Sequence, residues 1–231
     1  MHFVRTIRFS LAVLHGSCAF TAAHAEMVLS QVILDFQPEG APRGDIEVFN
    51  DGPERIFVAA DPSEVIGAGL PDEKRVPLAA DPSTSGLLVS PRKIVLAPGE
   101  RQTIRVAAVG PRPAEDRTFR LAIRPVAGPL QADQSALKVL VGYDALVLVR
   151  PLVQTDRITS ERIGHTLTIK NAGNSAQEIF DGQQCDKDGG DCRALPGKRL
   201  YPGASWQQTL PLDGPVSYKR SMGPTIEDQI F

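Results

Sequence analysis

Residues 136–150 read ALKVLVGYDALVLVR, and Pro151 follows. Taken at alternate positions, Leu137, Val139, Val141 and Tyr143 fall on one side, with Lys138, Leu140, Gly142 and Asp144 on the other. The apolar alternation resumes through Ala145, Val147 and Val149. A period of two with an excess of valine marks a strand, not a helix. At about 3.3 Å per residue, a strand over 136–150 would run roughly 45 Å, against a usual length of about five or six residues. Proline cannot donate to a ladder, so Arg150-Pro151 ends it. A strand of this length can close one domain, lead into a second, and leave apolar side chains over.

Around it the chain is punctuated by 19 prolines and 20 glycines, and aromatic residues make up only 6% of its 231 positions. No helical period persists beyond a turn or two, so short strands cut by turns predict an all-β protein of the sandwich class. Strands are expected at Met27–Phe36, Asp45–Phe49 and Arg55–Ala60, then a loop-rich region from Asp61 to Gly86. Leu87–Ser90, Ile94–Leu96, Gln102–Ala108 and Thr118–Val126 follow, before the long strand. After Pro151 the candidates are Leu152–Ile158, His165–Ile169, Glu178–Phe180, Arg199–Tyr201 and Trp206–Leu210, with a short tail.

The two halves echo each other. The first contains DIEVFN-D-G and later VLAPGERQTI; the second contains HTLTIKN-A-G and later RLYPGASWQQTL. Asn and Gly tolerate positive φ, and Pro-Gly suits a type II turn. Recurrence in the same order predicts two sandwiches of related plan, with the boundary at Arg150-Pro151.

At the N-terminus, Arg5 and Arg8 precede an apolar run from Leu11 to Phe20, and Ala23-His24-Ala25 forms a small-x-small site before Glu26. This reads as a cleaved export signal over residues 1–25. The run is too short to span a bilayer, which takes about 20 residues. The expected organisation is a signal peptide (1–25), a first domain (26–150) and a second domain (151–231). Cleavage removes two of the 25 basic and none of the 27 acidic residues, so the mature chain is acidic.

Cys185 and Cys192 flank Asp-Lys-Asp-Gly-Gly-Asp. In an oxidising compartment the pair favours a disulfide stapling a loop tip. Metal binding is the alternative, but His165 is the one histidine left to complete a ligand set. A His-based catalytic triad would also need His165, and no phosphate-binding loop is present, so the chain is read as no enzyme and as using no cofactor. The acidic balance and the lack of a basic-aromatic strip argue against nucleic acid.

The order of motifs resembles the PapD-type periplasmic chaperones of pilus assembly by the chaperone–usher route. The matching pieces are the signal peptide, the early strand into Asn50-Asp51-Gly52, and Val89-Ser90-Pro91 followed by Leu96-Ala97-Pro98-Gly99 and Ile104-Arg105. Asp116-Arg117-Thr118-Phe119-Arg120-Leu121 and the strand closing at Arg150-Pro151 come next. Asn171-Ala172-Gly173 and Leu200-Tyr201-Pro202-Gly203 carry the likeness more weakly into the second half. The resemblance implies two immunoglobulin-like domains in a boomerang. It implies that the long strand lends alternate residues to pilin-like subunits that lack a final strand, and that the subunits pass to an outer-membrane usher. The donor residues would be Leu137, Val139 and Val141, with Tyr143 on the same face. Strand addition of this kind takes affinity from main-chain hydrogen bonds and specificity from alternate side chains.

The sequence departs from the better-known members where they hold the subunit's C-terminal carboxylate. Leu146 stands at the position of a lysine, and Met27–Phe36 contains no basic residue. The family's Arg-Glu-Ser reads Arg117-Thr118-Phe119, which deprives Arg150 of its usual glutamate. The chain thus resembles the divergent, archaic or alternative branch, with Arg117, Arg150 and Arg43 as candidate anchors. A secreted structural or adhesive immunoglobulin-like protein is the competing reading.

Overall fold

The computed structural model describes residues 27–126 and 140–231. In the first half the strands are β1 (Met27–Leu29), β2 (Ile33–Phe36), β3 (Arg43–Asn50), β4 (Ile56–Ile66) and β5 (Lys74–Pro77). A single helical turn, α1 (Pro82–Ser85), precedes β6 (Leu87–Ser90), β7 (Lys93–Leu96), β8 (Arg101–Ala108), β9 (Arg117–Val126) and β10 (Tyr143–Val149). In the second half come β11 (Ile158–Ile163), β12 (Thr166–Asn171), β13 (Gln177–Cys185) and β14 (Cys192–Leu195). β15 (Lys198–Leu200), β16 (Ser205–Thr209), β17 (Val216–Met222) and β18 (Thr225–Ile230) complete it.

The first half is a sandwich of β1-β3-β8-β6 against β2-β10-β9-β4-β5, with β7 also paired to β4. Ile46, Val48, Ile104 and Val106 from one sheet meet Val58, Leu96, Phe119, Leu121, Ile123 and Val147 from the other in one buried cluster. Burying each such side chain contributes about 1.5–3 kcal/mol. The second half repeats the plan with β11-β12-β16 against β14-β13-β17-β18, where β15 also pairs with β13. Its smaller core holds Leu167, Ile169, Ile179, Leu200 and Tyr218. Trp206 and Phe231 meet the Tyr218 ring edge-on at 6.1 and 6.0 Å between centroids. Burial pushes the Tyr218 hydroxyl up to about 12. The architecture is all-β, two immunoglobulin-like sandwiches.

The echoed motifs do the same job in each sandwich. Asn50 and Asn171 are fully buried. Asn50 Nδ2 donates to the carbonyls of Glu54 and Leu96, and Asn171 Nδ2 to those of Ser175 and Leu200. Their Oδ1 atoms accept from Gly52 N and Gly173 N. Gly99 N donates to Asn50 O as Gly203 N does to Asn171 O. Gly99 (φ 74°) and Gly203 (φ 76°) sit in the left-handed region that Pro-Gly turns require. Gly52 and Gly173 are not among the glycines of positive φ. The Asn-x-Gly segment turns instead because the asparagine side chain takes over a backbone acceptor's role.

Several expected elements come out differently. Met27–Phe36 is two strands: β1 pairs antiparallel with β3, and β2 crosses to the other sheet and pairs parallel with β10. β4 runs on to Ile66, through Pro62, inside the stretch expected to be loop. It tolerates the proline because Leu78 N donates to Pro62 O, which places the missing N–H on the same side, where β7 stops at Ala59 and β5 starts at Ser63. Leu152–Ile158 is not a strand before Ile158, since Asn174 accepts from Thr155 N and donates to Val153 O. The expected tail is the β17–β18 hairpin.

Cys185 and Cys192 lie directly opposite each other on β13 and β14 and form a disulfide. The closed loop is short, so replacing both by serine is expected to lower the second sandwich's stability by roughly 2.5 kcal/mol. Denaturant titration of the double variant measures this, and mass spectrometry of freshly exported protein should find no free thiol.

Candidate functional site

β10 is the strand on which the expected site turns, and its two edges are unequally covered. β9 pairs with it over the whole of Tyr143–Val149. β2 covers the other edge only from Leu146 to Val149, starting where Leu146 N donates to Val32 O at 2.8 Å. Among the described residues, Tyr143, Asp144 and Ala145 therefore have no strand beside them on that edge. The cause lies in the first strand, which is still tied to the opposite sheet at Ser30, whose N–H donates to Glu47 O.

Among the described residues, the core uses the alternating stripe predicted from sequence from Tyr143 onward. Ala145, Val147 and Val149 are buried in the first sandwich. Tyr143 packs against that core at its edge, and its hydroxyl donates to Met27 O at 3.0 Å. Val141, next on the stripe, is 50% exposed. Leu137 and Val139 lie outside the described residues. Within those residues the strand begins at Tyr143, not at 136. Continuing the register would set Val141 against Pro125, which has no N–H, and a side chain at position 142 would meet Arg124 Cβ at 3.0 Å.

Arg150 does not lack carboxylate partners. Its Nε and Nη2 hold Asp35 at 2.7 and 2.8 Å, and Nη1 holds Asp116 at 2.7 Å and the carbonyl of Ala176 at 2.8 Å. The side chain is 4% exposed and that of Asp116 is fully buried. Asp116 reaches across to the second sandwich, accepting from Ala176 N at 2.6 Å and Ser175 Oγ at 3.1 Å. Burial pushes the Asp116 carboxyl above its ordinary value, against the downward pull of Arg150 and the Ala176 N–H. The Arg150 guanidinium, although desolvated, is held in its charged form by Asp35 and Asp116. This cluster fastens the two sandwiches together and leaves Arg150 little capacity for a further carboxylate.

Arg117 is similarly engaged. It forms a two-bond pair with Glu64 (2.7 and 2.9 Å), donates to Ser85 O, and lies 4.9 Å over the Phe119 ring. Arg43 is exposed at the start of β3. The cation directly opposite Leu146 across β9–β10 is Arg120. Arg120 has no carboxylate partner among the described residues; its one side-chain bond is a 3.4 Å contact with Asp144 O. Arg75 reaches the Asp144 carboxylate from β5 at 2.7 Å. Sequence reasoning missed Asp35, Asp116 and Arg120. The position of Arg120, counted back along the antiparallel partner of 136–150, is the signal that would have found it.

His165 lies at the far end of the second sandwich, largely exposed, with Nε2 3.6 Å from Asp213. Among the described residues no three His, Cys, Asp or Glu side chains gather as a metal site, and no helix is long and apolar enough to cross a membrane.

No family model and no curated protein matches the chain. Solved structures do. The class 5 fimbriae chaperone CfaA is similar over 88% of this chain and 98% of its own, with 20% identity and a TM-score of 0.65. The Salmonella enterica complex of the SafA pilin with the SafB chaperone contributes a match over 91% and 99%, at 13% identity and a TM-score of 0.64. The CsuC–CsuE chaperone–tip adhesion subunit complex from the archaic Csu pili of Acinetobacter baumannii matches over 89% and 98%, at 11% identity and a TM-score of 0.58. The chain has the two-sandwich fold of the fimbrial periplasmic chaperones.

Proposed function

We propose that this protein is a periplasmic chaperone that caps pilus or fimbrial subunits with its donor segment and hands them to an outer-membrane usher. Residues 1–25 direct export, 26–150 form the donor domain and 151–231 the second domain. The observation that carries the reading is the open edge of β10 before Leu146, joined to an apolar stripe that runs past the core at Val141. An unpaired strand edge is normally blunted or covered because it invites another chain. Here the edge and the stripe coincide, which is what strand addition to an incomplete sandwich needs. Capping is binding and asks for no catalytic group. Co-expression in a periplasm with small secreted pilin-like proteins tests it. A one-to-one complex, lost when the donor residues are altered, supports the reading. Incorporation of the chain itself into a surface fibre would favour the structural or adhesive alternative.

The subunit's carboxylate is assigned, on this reading, to Arg120, since Arg117 and Arg150 are committed to internal partners. A desolvated carboxylate needs such a cation. Arg120→Ala should weaken capture by about 2–5 kcal/mol, the range for breaking an interfacial charge pair. Amidating the C-terminus of a subunit peptide should reproduce the loss in wild type and add nothing in the variant. Titration calorimetry reads both, and an amidation without effect on wild type refutes the assignment.

A further inference from the structure

A second open edge lies on the first sandwich. β7 pairs only with β4 among the described residues, and Phe57 stands directly opposite both Val95 on β7 and Val126 on β9. The neighbours Ile56, Val58, Ile94 and Leu96 face the core, so the row Val95–Phe57–Val126 lies on the outer face. Its members are 43–49% exposed. The next row along the strands is Lys93–Ala59–Arg124. Arg124 is paired with Asp61, whereas Lys93 has no carboxylate partner among the described residues.

The second sandwich ends in an edge of matching character. Among the described residues, β18 pairs only with β17. Ile226, Asp228 and Ile230 stand opposite Ser221, Lys219 and Ser217, between which Tyr218 turns into the core, so all three face outward. Ile226 is 60% and Ile230 72% exposed. Glu227 is taken by Arg220, but Asp228 has no cation partner among the described residues.

We propose that β7 of one molecule and β18 of a second copy of this chain pair as antiparallel edge strands. Register selects the arrangement, because a shift of one residue would turn the outward side chains to the wrong face. Of the registers that keep both outer faces together, one sets Ile226 against Val95 and Asp228 against Lys93. The apolar row then extends across four strands, Ile226–Val95–Phe57–Val126, and Lys93 meets Asp228, whose own cross-strand neighbour Lys219 is bound to Asp181. Ladder hydrogen bonds and apolar cover supply the attraction, and the exposed charge pair mainly fixes register. The prolines at 91 and 98 bracket β7 and limit the ladder to its four residues. The contact joins two different surfaces, so it propagates to further copies unless the geometry closes a ring.

Sedimentation velocity of the purified chain, from micromolar to millimolar concentration, is the test. The weight-average mass should rise with concentration, and Val95→Glu or Ile226→Glu should hold the protein at one chain with an unchanged Tm. Lys93→Glu and Asp228→Lys should each weaken association by about threefold, the size of one exposed cross-strand pair, and the two together should restore it. A mass of one chain throughout, or a double swap that fails to restore, overturns the proposal. Loss of association on altering Val141 instead would also overturn it, by routing self-contact through the donor segment.

Discussion

Arg150→Ala is expected to destabilise the protein by about 3–5 kcal/mol, the range for removing one partner of a buried ion pair. The substitution strands two carboxylates, Asp35 and the fully buried Asp116, and removes the bond to Ala176 O that joins the sandwiches. The loss should depend on pH. Asp116 is already raised by burial, and the Arg150 charge is the first of the influences holding it down. Without Arg150 its folded pKa rises further above the unfolded value. An acid raised in the folded state binds more protons there than in the unfolded chain, so stability falls as pH rises from the unfolded pKa through the folded one. The variant should therefore lie furthest below wild type near neutral pH and recover part of the difference under mild acid, where Asp116 is protonated. Urea titrations across that range measure both curves. A deficit that is constant with pH would show that the Arg150 contribution is packing alone.

The sandwich architecture was legible because its determinants are local. Asn50-Asp51-Gly52 and Asn171-Ala172-Gly173 hold their own turns, Pro98-Gly99 and Pro202-Gly203 set theirs, and strands such as β6 and β9 announce themselves by alternation. What failed was decided by partners far along the chain. The break at Ser30 is invisible until Glu47 is seen to hold it, and the strand expected after Pro151 is undone by Asn174. The C-terminal hairpin escaped because its edge strand is largely exposed and its outward row, Ile226, Asp228 and Ile230, is broken by a charge, so no apolar alternation marks it. At the site, the buried alternation of Ala145, Val147 and Val149 was readable to the residue. Where on the stripe the core begins was not, because that depends on where the first strand crosses between the sheets, after Ser30. Arg150 looked unpartnered because Asp35 and Asp116 reach it from 115 and 34 residues away along the chain.

If the proposed function holds, changing Val139 and Val141 to aspartate should abolish subunit capture and leave the protein folded. Val141 is half exposed and lies on the stripe beyond the core, so a charge there meets water in the free protein. In a complex, each position would bury an apolar side chain worth about 1.5–3 kcal/mol, so the pair accounts for about 3–6 kcal/mol, two to four orders of magnitude in affinity. Burying the new carboxylates would add to the loss. Tyr143→Asp supplies the contrast. Its ring packs on the core and its hydroxyl holds Met27 O, so that variant should lose thermal stability as well as capture. Calorimetric melting of the free variants, set beside subunit levels in the periplasm, separates the two effects. Subunits without a cap expose unpaired edges and are removed by aggregation or proteolysis, so their level reports capture directly. If the double variant melts well below wild type, those side chains belong to the core and the donor face is wrongly assigned. If it folds and subunit levels hold, the stripe beyond Tyr143 is not what the subunit takes.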